Sequence, residues 1–215
     1  MRFAGTASSI AGARVVVFAR ALFTSLPHRH REIARSSWDE QYAAGTWDYL
    51  HSVRESARYG LIVGYCRNLS PCAAVLDVGC GEGLLQRLLF PSYSSYLGID
   101  LSEVAIAHAR AGAAGAANSS FVQADGREYV PPGDFDLVIF NECLYYFPQP
   151  IEVVRRYQRH LREPGAMIVS NVISRRSHRA RAQLAAAYRQ LDRVTLTSDA
   201  GVSWELRVLL RSPEP

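Results

Sequence analysis

Hydrophobic positions in this chain fall into short, nearly continuous runs: "AVLDVG", "SYLGID", "SSFVQAD", "FDLVIFN" and "AMIVSN". Runs this short and this apolar suit strands buried on both faces of a parallel sheet. Between them lie "LLQRLLF", "SEVAIAHARAGA" and "PIEVVRRYQRHL", whose apolar residues recur at helical spacing. Ser102 stands as the N-cap of the second of these, with Glu103 in its first turn. Strand and helix alternate, which predicts an α/β domain with a doubly wound sheet and helices on both faces.

The flanks read differently. A helix is predicted over about residues 52–69, with Tyr59, Ile62, Val63 and Cys66 on one face and Pro71 ending it. Ahead of it, "WDEQYAAGTWDYL" reads as a polar, aromatic loop. After Asn171 come a basic helical stretch, "SRRSHRARAQLAAAYRQL", and then "RVTLTS" and "SWELRVLL" around the turn "DAG". The last two predict a hairpin that adds an antiparallel edge to the parallel sheet. Residues 1–36 are an extension, and residues 37–215 form the domain. Within the extension, Arg14 and Arg20 break the apolar run "IAGARVVVFARALFTSL", leaving it short of the ~20 residues that span a bilayer. Ile10, Val17, Leu22 and Phe23 share a helical face, a pattern that permits a membrane-surface or transit-type helix; a flexible or capping segment is the plainer expectation.

Composition narrows the partner. At 215 residues and 48% apolar content the chain can bury a full core. Its net charge of +4 is too dilute for a duplex-binding surface, so a small molecule is expected and nucleic acid is not. Cys66, Cys72, Cys80 and Cys143 form no C-x-x-C pair and have no histidine grouping, which argues against a structural zinc site and for a reduced, cytoplasmic setting.

The candidate chemistry starts at "VLDVGCGEG", residues 75–83. A strand, a glycine turn and a helix place the turn at the carboxyl end of the sheet, where ligands bind in open α/β folds. Gly79, Gly81 and Gly83 are spaced by two, unlike the G-x-G-x-x-G of a dinucleotide site, and no G-K-[ST] follows, so no pyrophosphate cradle is indicated. Cys80 is a small side chain within the turn. Asp100 ends the second strand, where a carboxylate can fork to the vicinal hydroxyls of a ribose. Asp125, before Gly126, follows the third strand, where it can accept from an exocyclic adenine amine. Two acids and a glycine loop describe a nucleoside without phosphates.

With these residues the chain resembles the class I S-adenosylmethionine-dependent methyltransferases: "VLDVGCGEG", "LGIDLS", "FVQADG", "FDLVIFNECLYYF" and "LREPGAMIVSN" match the family's successive motifs in order, over residues 75–171. The resemblance implies a seven-stranded sheet of order 3-2-1-4-5-7-6 with one antiparallel strand, and S-adenosyl-L-methionine as cofactor. It implies that Asp77 and the Gly79–Gly83 loop run beside the methionine and ribose, that Asp100 holds the ribose with Leu101 beside the adenine, that Asp125 and Gly126 border the adenine, and that the backbone at Asn141 faces the methionine ammonium. Trp38, Tyr42, Trp47 and Tyr49 match an aromatic lid that closes over the cofactor.

For the acceptor side, "NECLYYFPQP" lacks the N-P-P-Y type sequence of base amino methylation and the metal-binding acids of catechol-type O-methylation. It offers Glu142, to hold an amine or take a proton, and Tyr145 and Tyr146, to shape a partly polar pocket. "ECLYYF" is similar to the corresponding segment of Nod-factor and related sugar-amine N-methyltransferases. His51, near the lid, is the one histidine considered as a base; His108 is expected on the surface away from the site. The run Arg175, Arg176, His178, Arg179 and Arg181 suits either an anionic acceptor or a solvated helix face. The expected activity is methyl transfer to nitrogen or oxygen of a small molecule, glycosyl or anionic in character. The alternative is a cofactor-binding, non-catalytic relative that serves regulation or assembly.

Overall fold

In a computed structural model of the chain, residues 34–211 are described. The expectations placed on the segment before residue 34, a surface-lying or capping helix included, fall outside them. The core is a seven-stranded sheet in the order β3-β2-β1-β4-β5-β7-β6. Its strands are β1 (Ala73–Val78), β2 (Tyr93–Asp100), β3 (Ser119–Gln123), β4 (Phe135–Asn141), β5 (Leu161–Val172), β6 (Gln190–Thr197) and β7 (Ser203–Leu210). All pairings among β1–β5 are parallel, and β7 runs antiparallel to both β5 and β6. The terminal hairpin predicted from "RVTLTS" and "SWELRVLL" is therefore present, with its second strand wedged inside the first.

Among the described residues six α-helices cover the sheet: α1 (Arg35–Ala43), α2 (Val53–Leu69), α3 (Leu84–Leu89), α4 (Glu103–Gly112), α5 (Pro150–Gln158) and α6 (His178–Ala187). Period-two alternation of the strands divides the interior in two. Val75, Tyr96 and Ile139 face a core closed by Tyr59 and Ile62 of α2, Leu85 of α3 and Ile106 of α4. Leu76, Val138 and Phe140 face the other core, closed by Val154 and Tyr157 of α5 and Leu184 of α6. This is why the strand sequences read as unbroken apolar runs.

Three local expectations change. The segment "WDEQYAAG", read as a loop, is mostly the helix α1. It buries no residue and so shows no apolar stripe. Asp39 ties it to the domain by accepting from the Ser102 hydroxyl at 2.6 Å and from the Val104 N–H at 3.3 Å, over the start of α4. β5 begins at Leu161, ahead of "AMIVSN", because Leu161 pairs with Phe135 before a register shift brings Ala166 opposite Leu137. α6 stops at Ala187, since Gln190 already belongs to β6. Among the described residues no helix is long and apolar enough to cross a membrane.

Candidate functional site

Chain order sends β2 and β3 to one side of β1 and β4 to the other. The gap between β1 and β4 is the switch point at which open α/β sheets bind ligands. A cavity of about 220 Å³ opens there at the carboxyl ends of β1, β2 and β4. The structure brings all the predicted site residues to its wall: Trp38 and Tyr42 from α1, Asp77 to Gly81 at the end of β1, Asp100 and Leu101 at the end of β2, Asp125 and Gly126 after β3, and Asn141, Glu142 and Tyr145 at and past the end of β4.

The glycine turn is built for close approach. Gly79, Gly81 and Gly83 all have positive φ, at 75°, 53° and 71°. A Cβ on Gly79 would lie 2.7 Å from the Cys143 Cβ, and one on Gly81 would lie 2.9 Å from the Tyr42 hydroxyl. Four of the turn's five amides are spent internally. Gly79 and Cys80 N–H donate to the Ile99 carbonyl, Gly83 N–H to the Cys80 carbonyl, and Gly81 N–H to Asp100 Oδ2 at 2.9 Å. Those groups are not free to ring an anion, which agrees with the missing phosphate fingerprint. Cys80 is buried, and burial pushes its thiol well above the ordinary range.

Three carboxylates line this half of the cavity in different states. Asp77 is buried; the Tyr96 hydroxyl donates to its Oδ2 at 2.5 Å, and its Oδ1 has no hydrogen-bond partner. Burial pushes its pKa up to about 7, against the lowering by the Tyr96 bond. Asp100 accepts from Gly81 N–H and, on Oδ1, from Ser102 N–H at 2.9 Å; burial still raises it above the usual carboxylate range. Asp125 is held low by Arg127, whose side chain grips both carboxylate oxygens.

The lid is continuous with the far rim. Trp38 stacks on Trp47 with centroids 5.8 Å apart, and meets Tyr146 edge-on at 4.8 Å. Trp47 and Tyr49 also line the cavity. A clasp that the sequence reading missed joins lid, glycine turn and α4: Glu82 of the turn bonds His51 Nε2 at 3.3 Å and, through its other oxygen, His108 Nδ1. His108 is half exposed, as expected, but it is tied to the cavity wall by Glu82 rather than remote from it. The partners are far apart in sequence, so no local pattern could announce the clasp.

The acceptor half rests on a buried ion pair. Arg58 of α2 is 0% exposed and donates from Nε and Nη2 to Glu55 Oε2 at 3.2 and 3.0 Å. Its Nη1 donates to the Asn141 side-chain oxygen. Arginine has only donors, so this bond turns the Asn141 amide nitrogen away from Arg58. A signal for the pair existed: Glu55 and Arg58 fall on the helical face that carries Tyr59 and Ile62, and charges there require burial in pairs. Glu142 sits just past β4 with φ +60°, the one non-glycine residue with positive φ among those described. Its carboxylate accepts from Ser170 Oγ at 2.8 Å, Val172 N–H at 3.0 Å and the Tyr145 hydroxyl at 3.1 Å.

The basic run divides. Arg175, His178 and Arg179 are exposed, Arg181 pairs with buried Glu205 at 3.1 Å, and Arg176 lines the cavity. Among the described residues no group of three or more His, Cys, Asp or Glu is placed to hold a metal ion.

Comparison with known proteins accords with this geometry. A model of the methyltransferase domain family matches residues 75–165. The ubiquinone biosynthesis O-methyltransferase of Pseudomonas paraeruginosa is 35% identical over 104 residues, 47% of this chain and 44% of that protein. The trans-aconitate 2-methyltransferase of Deinococcus radiodurans is 34% identical over 127 residues, 57% of this chain and 46% of that protein. The chain thus spans under half the length of these relatives. Among solved structures, the N-methyltransferase NodS of Bradyrhizobium japonicum in complex with S-adenosyl-L-homocysteine superposes with a TM-score of 0.72 at 19% identity, covering 84% of this chain and 98% of that one.

Proposed function

We propose, from the premise that this chain carries a class I S-adenosylmethionine-dependent methyltransferase domain, that it transfers a methyl group to a nitrogen or oxygen of a small-molecule acceptor. The observation that carries the reading is the buried, unpaired oxygen of Asp77 at the wall of a cavity whose glycine turn commits the amides of Gly79, Cys80, Gly81 and Gly83 to the protein itself. An unpartnered buried carboxylate oxygen is costly alone and is relieved by a cation. The ammonium of S-adenosylmethionine is such a cation, and the molecule carries no phosphate. Asp100 uses one lone pair on each oxygen for backbone N–H groups, leaving capacity to accept from both hydroxyls of a ribose. Gly79 and Gly81 leave room where side chains would collide. The residues present therefore fit this cofactor.

When bound, S-adenosylmethionine supplies a methyl group on a sulfonium, already activated for in-line displacement. The chain's own residues align the reactants, exclude water and receive one proton. Alignment alone can supply about 7 to 11 kcal/mol of such a barrier. Trp38, Trp47 and Tyr49 close the cavity over the reactants. Tyr145 gives its hydroxyl proton to Glu142 in a hydrogen bond, so its oxygen can accept from the N–H or O–H of an acceptor. As the new bond to carbon forms, the acceptor's proton passes to the Tyr145 oxygen while the tyrosine's own proton passes to Glu142, and the tyrosine stays neutral. That suits Tyr145, whose pKa burial raises well above the ordinary value. Ser170 and Val172 hold Glu142 in place for this role.

The acceptor is a small molecule of glycosyl or aromatic character. Tyrosine faces suit either, and the fold likeness to NodS joins the resemblance of "ECLYYF" to sugar-amine N-methyltransferases, while the relative from Pseudomonas paraeruginosa is an O-methyltransferase. The test is calorimetric titration of the full chain with S-adenosylhomocysteine, NAD and ATP, followed by a screen for S-adenosylhomocysteine release over amino-sugar, phenolic and carboxylate acceptors. S-adenosylhomocysteine should bind alone, and Asp100→Ala should weaken it by about 1 to 3 kcal/mol from an unpaired ribose. Binding of NAD or ATP in its place overturns the cofactor assignment. Silence across the acceptor panel favours a binding protein without turnover.

A further inference from the structure

The chain between α1 and α2 passes along the cavity as a single helical turn, Asp48–His51, and places Tyr49, Leu50 and His51 on its wall. His51 fastens that turn to the glycine loop, its Nε2 lying 3.3 Å from Glu82 Oε2. The other oxygen of Glu82 bonds His108 Nδ1 of α4, so one carboxylate stands between two imidazoles. Glu82 is the least exposed of the three, at 16% against 44% for His51 and 51% for His108. The start of the lid is fastened to α4 as well, where Asp39 accepts from the Ser102 hydroxyl and the Val104 N–H. Those two donors keep their protons at any ordinary pH. The pair at Glu82 is different, because its donors are imidazoles.

An ionised carboxylate only accepts, so each imidazole presents an N–H to Glu82 and, when neutral, keeps a lone pair on its other ring nitrogen. A proton taken up there leaves the hydrogen bond in place and makes it charge-assisted, hence stronger. Histidine is the side chain whose charge ordinarily changes between about pH 5 and 8. Glu82 stays anionic through that range. Burial works against its charge, but the bonds from His108 and His51 outweigh burial and hold the carboxyl below its usual range. Arg87 of α3 also faces this residue, bonding the Glu82 carbonyl at 2.8 Å, and its charge does not change with pH. Asp100 and the Tyr42 hydroxyl face the neighbouring Gly81.

We propose that Glu82 is the catch of the lid: held in place by His108, it grips His51 and keeps the turn Asp48–His51 closed beside the bound cofactor, and the grip tightens as His51 takes up a proton. The inference rests on the cofactor reading of the cavity. Glu82 and His51 are positioning residues in this role, acting through Tyr49 and Leu50 on the rate at which cofactor leaves.

The experiment measures S-adenosylhomocysteine dissociation by surface plasmon resonance on the immobilised full chain at about pH 5.5 and about pH 8. The quantity compared is the off-rate at the higher pH divided by that at the lower. His51→Gln and Glu82→Gln should each reduce this ratio by about threefold or more relative to wild type, a size set by the exposure of the pair. Asp77 is unchanged in all three proteins, so its own pH dependence cancels. Hydrogen exchange of the ligand-free chain gives a second readout. The amides of Leu50 and Ser52, which bond the Trp47 and Tyr49 carbonyls, should exchange about threefold or more faster in Glu82→Gln than in wild type at about pH 5.5. An off-rate ratio equal in wild type and His51→Gln overturns the inference, and so does unchanged exchange at Leu50 and Ser52. Failure of the wild-type chain to bind S-adenosylhomocysteine overturns the cofactor reading instead, and the exchange rates then decide whether the catch exists.

Discussion

The Tyr96 hydroxyl of β2 donates to Asp77 of β1 at 2.5 Å, and it satisfies only one of two buried carboxylate oxygens. Burial at the cavity wall favours the proton on this acid, and the strand-to-strand bond opposes that only in part. Burial, with the charge of Asp100 adding to it, pushes the Asp77 carboxyl up to about 7.

A pH dependence follows, with a definite sign. An acid whose folded pKa is raised favours the fold while it is protonated; the contribution is complete below its unfolded value of about 3.9 and is lost as pH rises through the folded value. The ligand-free protein should lose melting temperature from about pH 4 to pH 7, levelling off above, and Asp77→Asn should flatten that part of the profile. S-adenosylhomocysteine, bringing an ammonium to the orphaned oxygen, should bind more tightly toward the upper end of the same window. Scanning calorimetry of both proteins checks the first point, and a slope identical in Asp77→Asn removes Asp77 as its source.

The Glu55–Arg58 pair should behave as a buried ion pair whose halves are costly apart. Arg58→Met removes the buried guanidinium that bonds Glu55 and should destabilise the fold by about 3 to 5 kcal/mol, read as a lower urea midpoint. Glu55→Leu combined with Arg58→Met should recover much of that loss, because an apolar pair of similar volume avoids the desolvation cost. The double variant should nevertheless turn over poorly, since nothing then orients the Asn141 amide. Full activity in the double variant would make the pair purely structural.

Glu142 and Tyr145 should separate chemistry from cofactor binding. Once an acceptor is found, Tyr145→Phe and Glu142→Gln should each lower kcat by about 10²-fold or more, with S-adenosylhomocysteine affinity unchanged. The double variant should be no worse than either single one, because a relay broken at one link is already lost. Additive losses would mean that the two residues act separately.

The order of elements was legible along the chain because burial on both faces writes itself as continuous apolar runs, and "VLDVGCGEG" placed the ligand end of the sheet. The residues expected around the cavity all reach it, most of them for a reason that is also local: apart from Trp38 and Tyr42 of α1, they lie at or just past the ends of parallel strands, and parallel strands end on one side. The helix α1 was not legible, since it buries no residue of its own and is held by Asp39 at the start of α4.

Spacing and composition alone determined that this chain winds a sheet and leaves glycines and acids at its carboxyl edge, because period and burial are properties of neighbours along the backbone. Only the tertiary structure decided that Glu82 joins His51 to His108, that Arg58 sets Asn141, and that Arg176 of the basic run lines the cavity while Arg181 pairs with Glu205. Each of those depends on a side chain meeting a partner from a distant segment, and the charge of a residue does not say which partner the fold will bring.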